Sequence, residues 1–173
     1  MTRAVQLTAL VAVAGLFALL VWRLTHQSHP PKIGGPAPGF TLKRLVGDGE
    51  ISLASLRGKP AVINFFASWC QPCKGEAKVL ESAWQQYKGR VVFLGIDYND
   101  VTGDGRRFVD AHHITFPTVR GGDGSVGNRY GLTGVPETFF VNADGKLVGS
   151  HIEGTVAHQK DRFYDGIKAA LGS

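Results

Sequence analysis

The chain of 173 residues reads as an α/β protein, a mixed central sheet flanked by helices, with an apolar N-terminal helix ahead of it. Three observations predict this. Residues Ala4 to Trp22 carry no charge. Two short apolar runs, Ala61–Ala67 and Val91–Ile96, bracket a segment with helical spacing. Thr138–Val141 and Lys146–Gly149 flank the turn Asn142-Ala143-Asp144-Gly145, and a further amphipathic segment follows.

The uncharged run comes first. As helix its nineteen residues span roughly 28 Å, close to the ~30 Å of a bilayer core. Leu, Val, Ala, Phe and Gly dominate Leu7–Val21, and Trp22 stands where an interfacial aromatic would. A cleaved signal peptide would need a shorter apolar region and a small-x-small site after it, whereas Val21-Trp22-Arg23-Leu24-Thr25 follows. The expectation is an uncleaved transmembrane anchor over residues 1–25. Arg3 before the helix and Arg23 and Lys32 after it nearly tie on the positive-inside rule, so charge alone does not orient it.

Residues 26–38 read as a linker. His26-Gln27-Ser28-His29-Pro30-Pro31 and Gly34-Gly35-Pro36-Ala37-Pro38 deny it helix, and its glycines are expected to deny it a sheet role. His26 and His29 read as solvated linker residues. The domain proper is expected over 39–173. Beyond residue 32 it holds sixteen basic and fourteen acidic residues, an ordinary balance for a soluble domain. No Lys/Arg cluster is interleaved with aromatics, so nucleic acid is not an expected partner.

Within the domain, Phe40–Lys43 and Ile51–Leu53 flank Gly47-Asp48-Gly49 as a hairpin. Ala61–Ala67 is a buried strand. From Cys70 to Lys88, Ala77, Leu80, Trp84 and Tyr87 recur at threes and fours until Gly89. Val91–Ile96 is a second buried strand ending at Asp97. Asp104–His113 is a short helix, Gly121–Gly127 a loose loop, and Val156–Leu171 a final helix with Phe163, Ile167, Ala170 and Leu171 on one side.

The chemistry concentrates in Trp69-Cys70-Gln71-Pro72-Cys73, which holds both cysteines of the chain between a strand and a helix. A thiol attacks a disulfide only as thiolate, and a free cysteine with pKa near ~8.5 is mostly protonated at neutral pH. The first turn of a helix points unpaired N–H groups and the positive dipole end at Cys70. Cys73 lies one turn on along the same face, within disulfide reach, and Pro72 fits a first turn where its missing N–H is harmless. Cys70, taken as the more exposed, is the expected nucleophile, and Cys73 resolves the mixed disulfide. Two cysteines supply half the ligands of a zinc site, and a bridge across so short a loop removes little chain entropy. No metal or organic cofactor is expected, so electrons must come from another protein.

Ala61-Val-Ile-Asn-Phe-Phe-Ala-Ser-Trp-Cys-Gln-Pro-Cys-Lys74 resembles the thioredoxin-fold core. With Pro36-Ala-Pro-Gly-Phe40, Leu56-Arg-Gly-Lys-Pro60 and Gly134-Val-Pro-Glu-Thr-Phe-Phe140, residues 33–171 resemble the membrane-anchored TlpA/ResA/CcmG (DsbE) branch. The resemblance implies a thioredoxin-like fold, a single-pass protein of the bacterial cell membrane, and a catalytic domain on the extracytoplasmic (periplasmic) side. It implies that Pro136 is a cis-proline facing the disulfide, where the backbone can pair with a substrate strand. Glu137 and Glu76 match the branch, with Glu76 able to oppose thiolate formation or accept a proton from Cys73. Asn64 replaces the buried Asp of ordinary thioredoxins, which leaves that work to Glu76, Glu137 or Asp97. His112, His113, Asp97 and Asp100 otherwise read as surface or loop residues.

The implied activity is reduction of the haem-binding cysteines of apocytochrome c by a monomer, with electrons from a CcdA/DsbD-type membrane thiol relay. A general periplasmic reductase or an oxidant of folding proteins stands as the alternative. A peroxide-reducing enzyme would need a peroxidatic cysteine outside the Cys-x-x-Cys, which the chain lacks. A chaperone-like module with an incidental disulfide would tolerate Cys70→Ser.

Overall fold

The computed structural model describes residues 2–25 and 31–172, with the side chains of 5–22 and 31–172. Residues 26–30, and with them His26 and His29, lie outside the described residues. Helix α1 spans Thr2–Thr25; its uncharged window Val5–Trp22 has a mean hydropathy of 2.2 and is 0% buried. By length and composition it can cross a bilayer.

The domain is built on five strands: β3 (Ala61–Phe66), β4 (Val92–Asp97), β5 (Thr118–Arg120), β6 (Glu137–Val141) and β7 (Leu147–Glu153). Their spatial order is β5-β4-β3-β6-β7. β3, β4 and β5 run parallel, while β6 pairs antiparallel with β3 and β7 antiparallel with β6. The central strand β3 is buried at all six residues, which is why Ala61-Val-Ile-Asn-Phe-Phe reads as a nearly continuous apolar run.

Alternation along β3 sends its side chains into different cores. Ile63 and Phe65 pack with Leu94, Ile96, Tyr130 and Phe139, beneath the hairpin of β1 (Thr41–Lys43) and β2 (Glu50–Ser52). Val62 packs with Phe93 and Phe140 against α2 (Gln71–Tyr87) and α5 (Lys160–Leu171), through Leu80, Ala83, Phe163 and Ile167. Gly166 lets α5 close on the sheet, because a Cβ there would overlap the Phe140 ring. Phe66 joins a third cluster with Cys70, Cys73 and the α3 residues Phe108 and Val109, α3 spanning Thr102–Ala111.

Four sequence readings are corrected. Gly34 and Gly35 exchange backbone hydrogen bonds with Leu147, and Pro36 bridges Lys146, so the last part of the expected linker pairs with the sheet edge. Proline forbids only its own N–H donation, and glycine opposes pairing only entropically. Ser125–Tyr130 forms a helix, α4, where the sequence reads as a loose loop, and Thr118–Arg120, which the sequence leaves unassigned, forms a strand; six and three residues are too short to show a period. Strand β7 continues past Gly149 to Glu153. The final helix is broken: Val156–His158 is a 3₁₀ turn, and α5 starts only after Gln159.

Candidate active site

Phe66 ends β3, and the chain turns through Ala67-Ser68-Trp69 to deliver Cys70 as the N-cap of α2. Cys70 Sγ accepts the backbone N–H of Cys73 at 3.1 Å. Sulfur therefore does the work that Ser or Asp does at an ordinary N-cap, and the same donor and helix end stabilise an anion there. Pro72 sits in the first turn. Cys70 and Cys73 are joined in a disulfide with Cα atoms 5.3 Å apart.

Both cysteines are buried, Cys70 3% and Cys73 1% exposed, so accessibility separates them less than the sequence reading supposed. Their places on the helix differ more. Cys70 is at the cap, whereas Cys73 lies inside the first turn. The apolar surface beside them is Trp69, 59% exposed. The Val135–Pro136 peptide is cis, and the carbonyl oxygen of Val135 lies 3.5 Å from Cys70 Sγ. The segment before β6 therefore forms the wall opposite the cap.

Glu137 holds that wall. Its Oε1 accepts hydrogen bonds from Thr133 N at 2.8 Å, Thr133 Oγ1 at 2.9 Å and Gly134 N at 3.0 Å. All three donors belong to the loop leading into Pro136, and the side chain is buried.

Glu76 occupies the helix turn after Cys73 and is 1% exposed, not a surface charge. Its Oε1 accepts from Asn64 Nδ2 at 2.9 Å, and its Oε2 from the backbone N–H of Val156 at 2.8 Å. Asn64 also donates to Thr138 Oγ1 at 3.1 Å, which ties β3, β6 and α2 together. Burial pushes the Glu76 carboxyl up to about 7, against the lowering effect of hydrogen bonds from Val156, Asn64 and Thr155. Asn64 thus replaces an acid and also supplies the amide that orients one.

The sequence reads Asp97, at the end of the second buried strand, and Asp100 as surface or loop residues. Asp97 ends β4 and is 1% exposed, whereas Asp100 is half-buried and accepts from Ser68 N and Ser68 Oγ. That contact joins residues 32 apart in sequence, beyond any local pattern. His112, at the end of α3, packs tilted against Phe108, a member of the cluster that holds both cysteines, with ring centroids 4.5 Å apart.

The fold and the site define a thioredoxin-like thiol–disulfide oxidoreductase. The model of the AhpC/TSA family matches residues 33–150, and the chain belongs to that family, in its TlpA/ResA/CcmG branch. It is 28% identical over 144 residues to a thiol-disulfide oxidoreductase ResA of Oceanobacillus iheyensis, covering 80% of this chain and 74% of the relative. It is 37% identical over 121 residues to the thiol:disulfide interchange protein DsbE of Pseudomonas fluorescens biotype C, covering 69% and 66%. A crystal structure from Chlorobium tepidum, assigned as a thiol:disulfide interchange protein DsbE, superposes with a TM-score of 0.75 at 25% identity, over 82% of this chain and 99% of that one.

Proposed function

We propose that the protein is a membrane-tethered, extracytoplasmic reductant of protein disulfides whose targets are the haem-binding cysteines of apocytochrome c. The observation that carries the reading is the cap geometry: Cys70 Sγ accepts the Cys73 N–H at the start of α2, the atom best placed to bear negative charge. Helix α1 supplies the tether, residues 1–25 being the anchor and 39–173 the catalytic domain.

In the reduced protein the Cys70 thiolate attacks one sulfur of the target disulfide, forming a Cys70–target bond and releasing the other target sulfur as thiolate. The Cys73 thiolate then attacks Cys70 Sγ, the target's second sulfur leaves, and the enzyme is left as the Cys70–Cys73 disulfide. Two electrons have passed to the target. Glu76, poised near neutrality in the turn after Cys73, accepts the Cys73 proton before this second attack. Trp69, Pro72, Val135, Pro136 and Glu137 shape and hold the docking wall, along which an extended target chain adds to the backbone next to Pro136. A membrane thiol relay of the CcdA/DsbD type restores the dithiol, and the enzyme works as a monomer without metal or organic cofactor.

The reduction potential tests the direction of flow. A value near ~−270 mV, as for thioredoxin, fits a reductant; one near ~−120 mV identifies an oxidant of folding proteins and overturns the reading. A disulfide-bonded peptide carrying Cys-x-x-Cys-His is the matching substrate, because that motif is the haem-attachment signature. Its reduction should be faster than that of an unrelated protein disulfide.

A further inference from the structure

The loop from Asp97 to Val101 grips both residues that precede Cys70. Asp100 accepts from Ser68 N at 2.5 Å, from Ser68 Oγ at 2.9 Å and from Val101 N at 2.7 Å. The carbonyl of Asn99 accepts the Trp69 indole N–H at 3.3 Å, with Asn99 in the left-handed region at φ 48°. Tyr98 N donates to the carbonyl of Phe66 at 2.7 Å. The chain from β3 to Cys70 is therefore held at three points by one short loop.

Behind this loop stands Asp97, whose two carboxyl oxygens are buried and receive no donor among the described residues. Its surroundings leave it little freedom. β4 pairs it with Phe66 of β3 and Arg120 of β5, and Gly121 N donates to its carbonyl at 2.7 Å. Gly105 of α3 lies so close that a Cβ there would overlap the carboxylate. The charged groups acting on it are Asp100 from its own loop and Arg120 from β5; on α3, Asp104 is engaged with Arg107. A buried carboxylate without donors is strongly disfavoured, whereas a carboxylic acid needs only one acceptor. Asp100 is within side-chain hydrogen-bond reach and, with three donors of its own, is the natural anion of the pair.

We propose that Asp97 is a positioning residue for Cys70: it holds a proton that it donates to Asp100, and Asp100 in turn fixes Ser68 and Trp69. Loss of that proton sets two anions face to face. Asp97 is wedged between β4 and Gly105, so Asp100 is the group that shifts, and Ser68 and Trp69 are released with it. Burial and the Asp100 charge push Asp97 up to about 7, which places the change near neutrality. The sequence offers Asp97 as one of three candidate proton acceptors and otherwise as a surface or loop residue; the geometry gives it a mechanical role instead. The kinetic consequence rests on Cys70 being the nucleophile, but the change at Trp69 does not.

The full chain in detergent, oxidised and labelled with 5-fluorotryptophan, tests this by ¹⁹F NMR. The Trp69 signal is assigned by its loss in Trp69→Phe. No thiol titrates in the oxidised protein, so a shift with midpoint near pH 7 is expected from the pair. Glu76→Gln should keep that midpoint, which separates it from the other acid that titrates there, and Asp97→Asn should abolish it. An inflection that survives Asp97→Asn, or no inflection in the wild type between pH 5 and 9, overturns the proposal. For the reduced protein, the probe is glutathione disulfide, which forms a mixed disulfide with Cys70 and releases glutathione. The rate ratio of Asp97→Asn to wild type should rise at least threefold from pH 6 to pH 8.5, and a flat ratio also overturns the proposal. If neither protein exchanges at all, the reading of Cys70 fails, and the Trp69 titration alone decides the role of Asp97.

Discussion

Glu76 and Asp97 are carboxyls buried to the same extent and raised to about the same pKa, yet their surroundings are opposites. Glu76 is surrounded by donors: Asn64 and Val156 hold its two oxygens, so hydrogen bonds to the ionised form work against burial. Asp97 has no donor, and the charge of Asp100 works with burial. A shared pKa near neutrality thus reports two different designs. Glu76 can exchange a proton at little structural cost because its anion is already solvated by the fold. Asp97 cannot, and the strain of its ionisation passes to the residues around it.

The largest effect is expected when the donor on the Glu76 side is removed. Asn64→Asp sets a second carboxyl against Glu76, making it resemble the Asp97–Asp100 pair. Urea unfolding of the full chain in detergent should show a loss of about 3–5 kcal/mol at pH 8, from uncompensated buried charge, and much less at pH 4, where both acids are protonated. A loss independent of pH would show that Asn64 acts by packing alone.

Asp97→Asn is the reverse experiment. The folded pKa of about 7 stands above the unfolded value of 3.8, so the folded state binds the extra proton between them. That contribution is whole below pH ~4 and lost as pH rises through ~7, so ionisation costs up to about 4 kcal/mol at pH 8. The amide removes this cost while still donating to Asp100. Stability should rise by up to about 4 kcal/mol at pH 8 and stay nearly unchanged at pH 4.

Gly105→Ala tests the wedge. It should cost about 1–2 kcal/mol by overpacking, and less in an Asp97→Ser background, where the obstructing carboxylate is gone. Glu76→Gln should change stability least, within about 1 kcal/mol at pH 8, because relief of ionisation is offset by turning an amide donor toward Val156 N–H. A gain as large as that of Asp97→Asn would show that the hydrogen bonds around Glu76 do not set it apart.

How much of this was legible in the sequence follows from the range of each interaction. The strand-turn-helix around Cys70 and Cys73 was, because β3 is buried on both faces and α2 keeps its apolar spacing. Cys70 as cap and Pro72 in the first turn follow from local rules. The substitution of Asn64 for an acid could be noticed, but not its contact with Glu76 twelve residues on, nor that of Glu76 with Val156 eighty residues on. Glu76 enters the site in the sequence only through the family resemblance, because a helical glutamate by itself is usually a surface charge. The burial of Asp97 at the end of its strand was not legible, because it depends on Gly105 and Gly121, whose missing side chains carry no periodic signal. The break in the last helix, a 3₁₀ turn at Val156–His158 before α5, likewise leaves no mark on the apolar spacing of the sequence.

The central claim is that Cys70 carries out the attack and Cys73 the release. Its most direct test is the full-length Cys73→Ser protein, reduced and offered a disulfide-bonded Cys-x-x-Cys-His peptide, with the adduct mapped by mass spectrometry. The expected result is a stable mixed disulfide between Cys70 and one peptide cysteine, and no adduct with Cys70→Ser. An absence of adduct on Cys70, or capture by Cys73 in the Cys70→Ser protein at an equal rate, would contradict it.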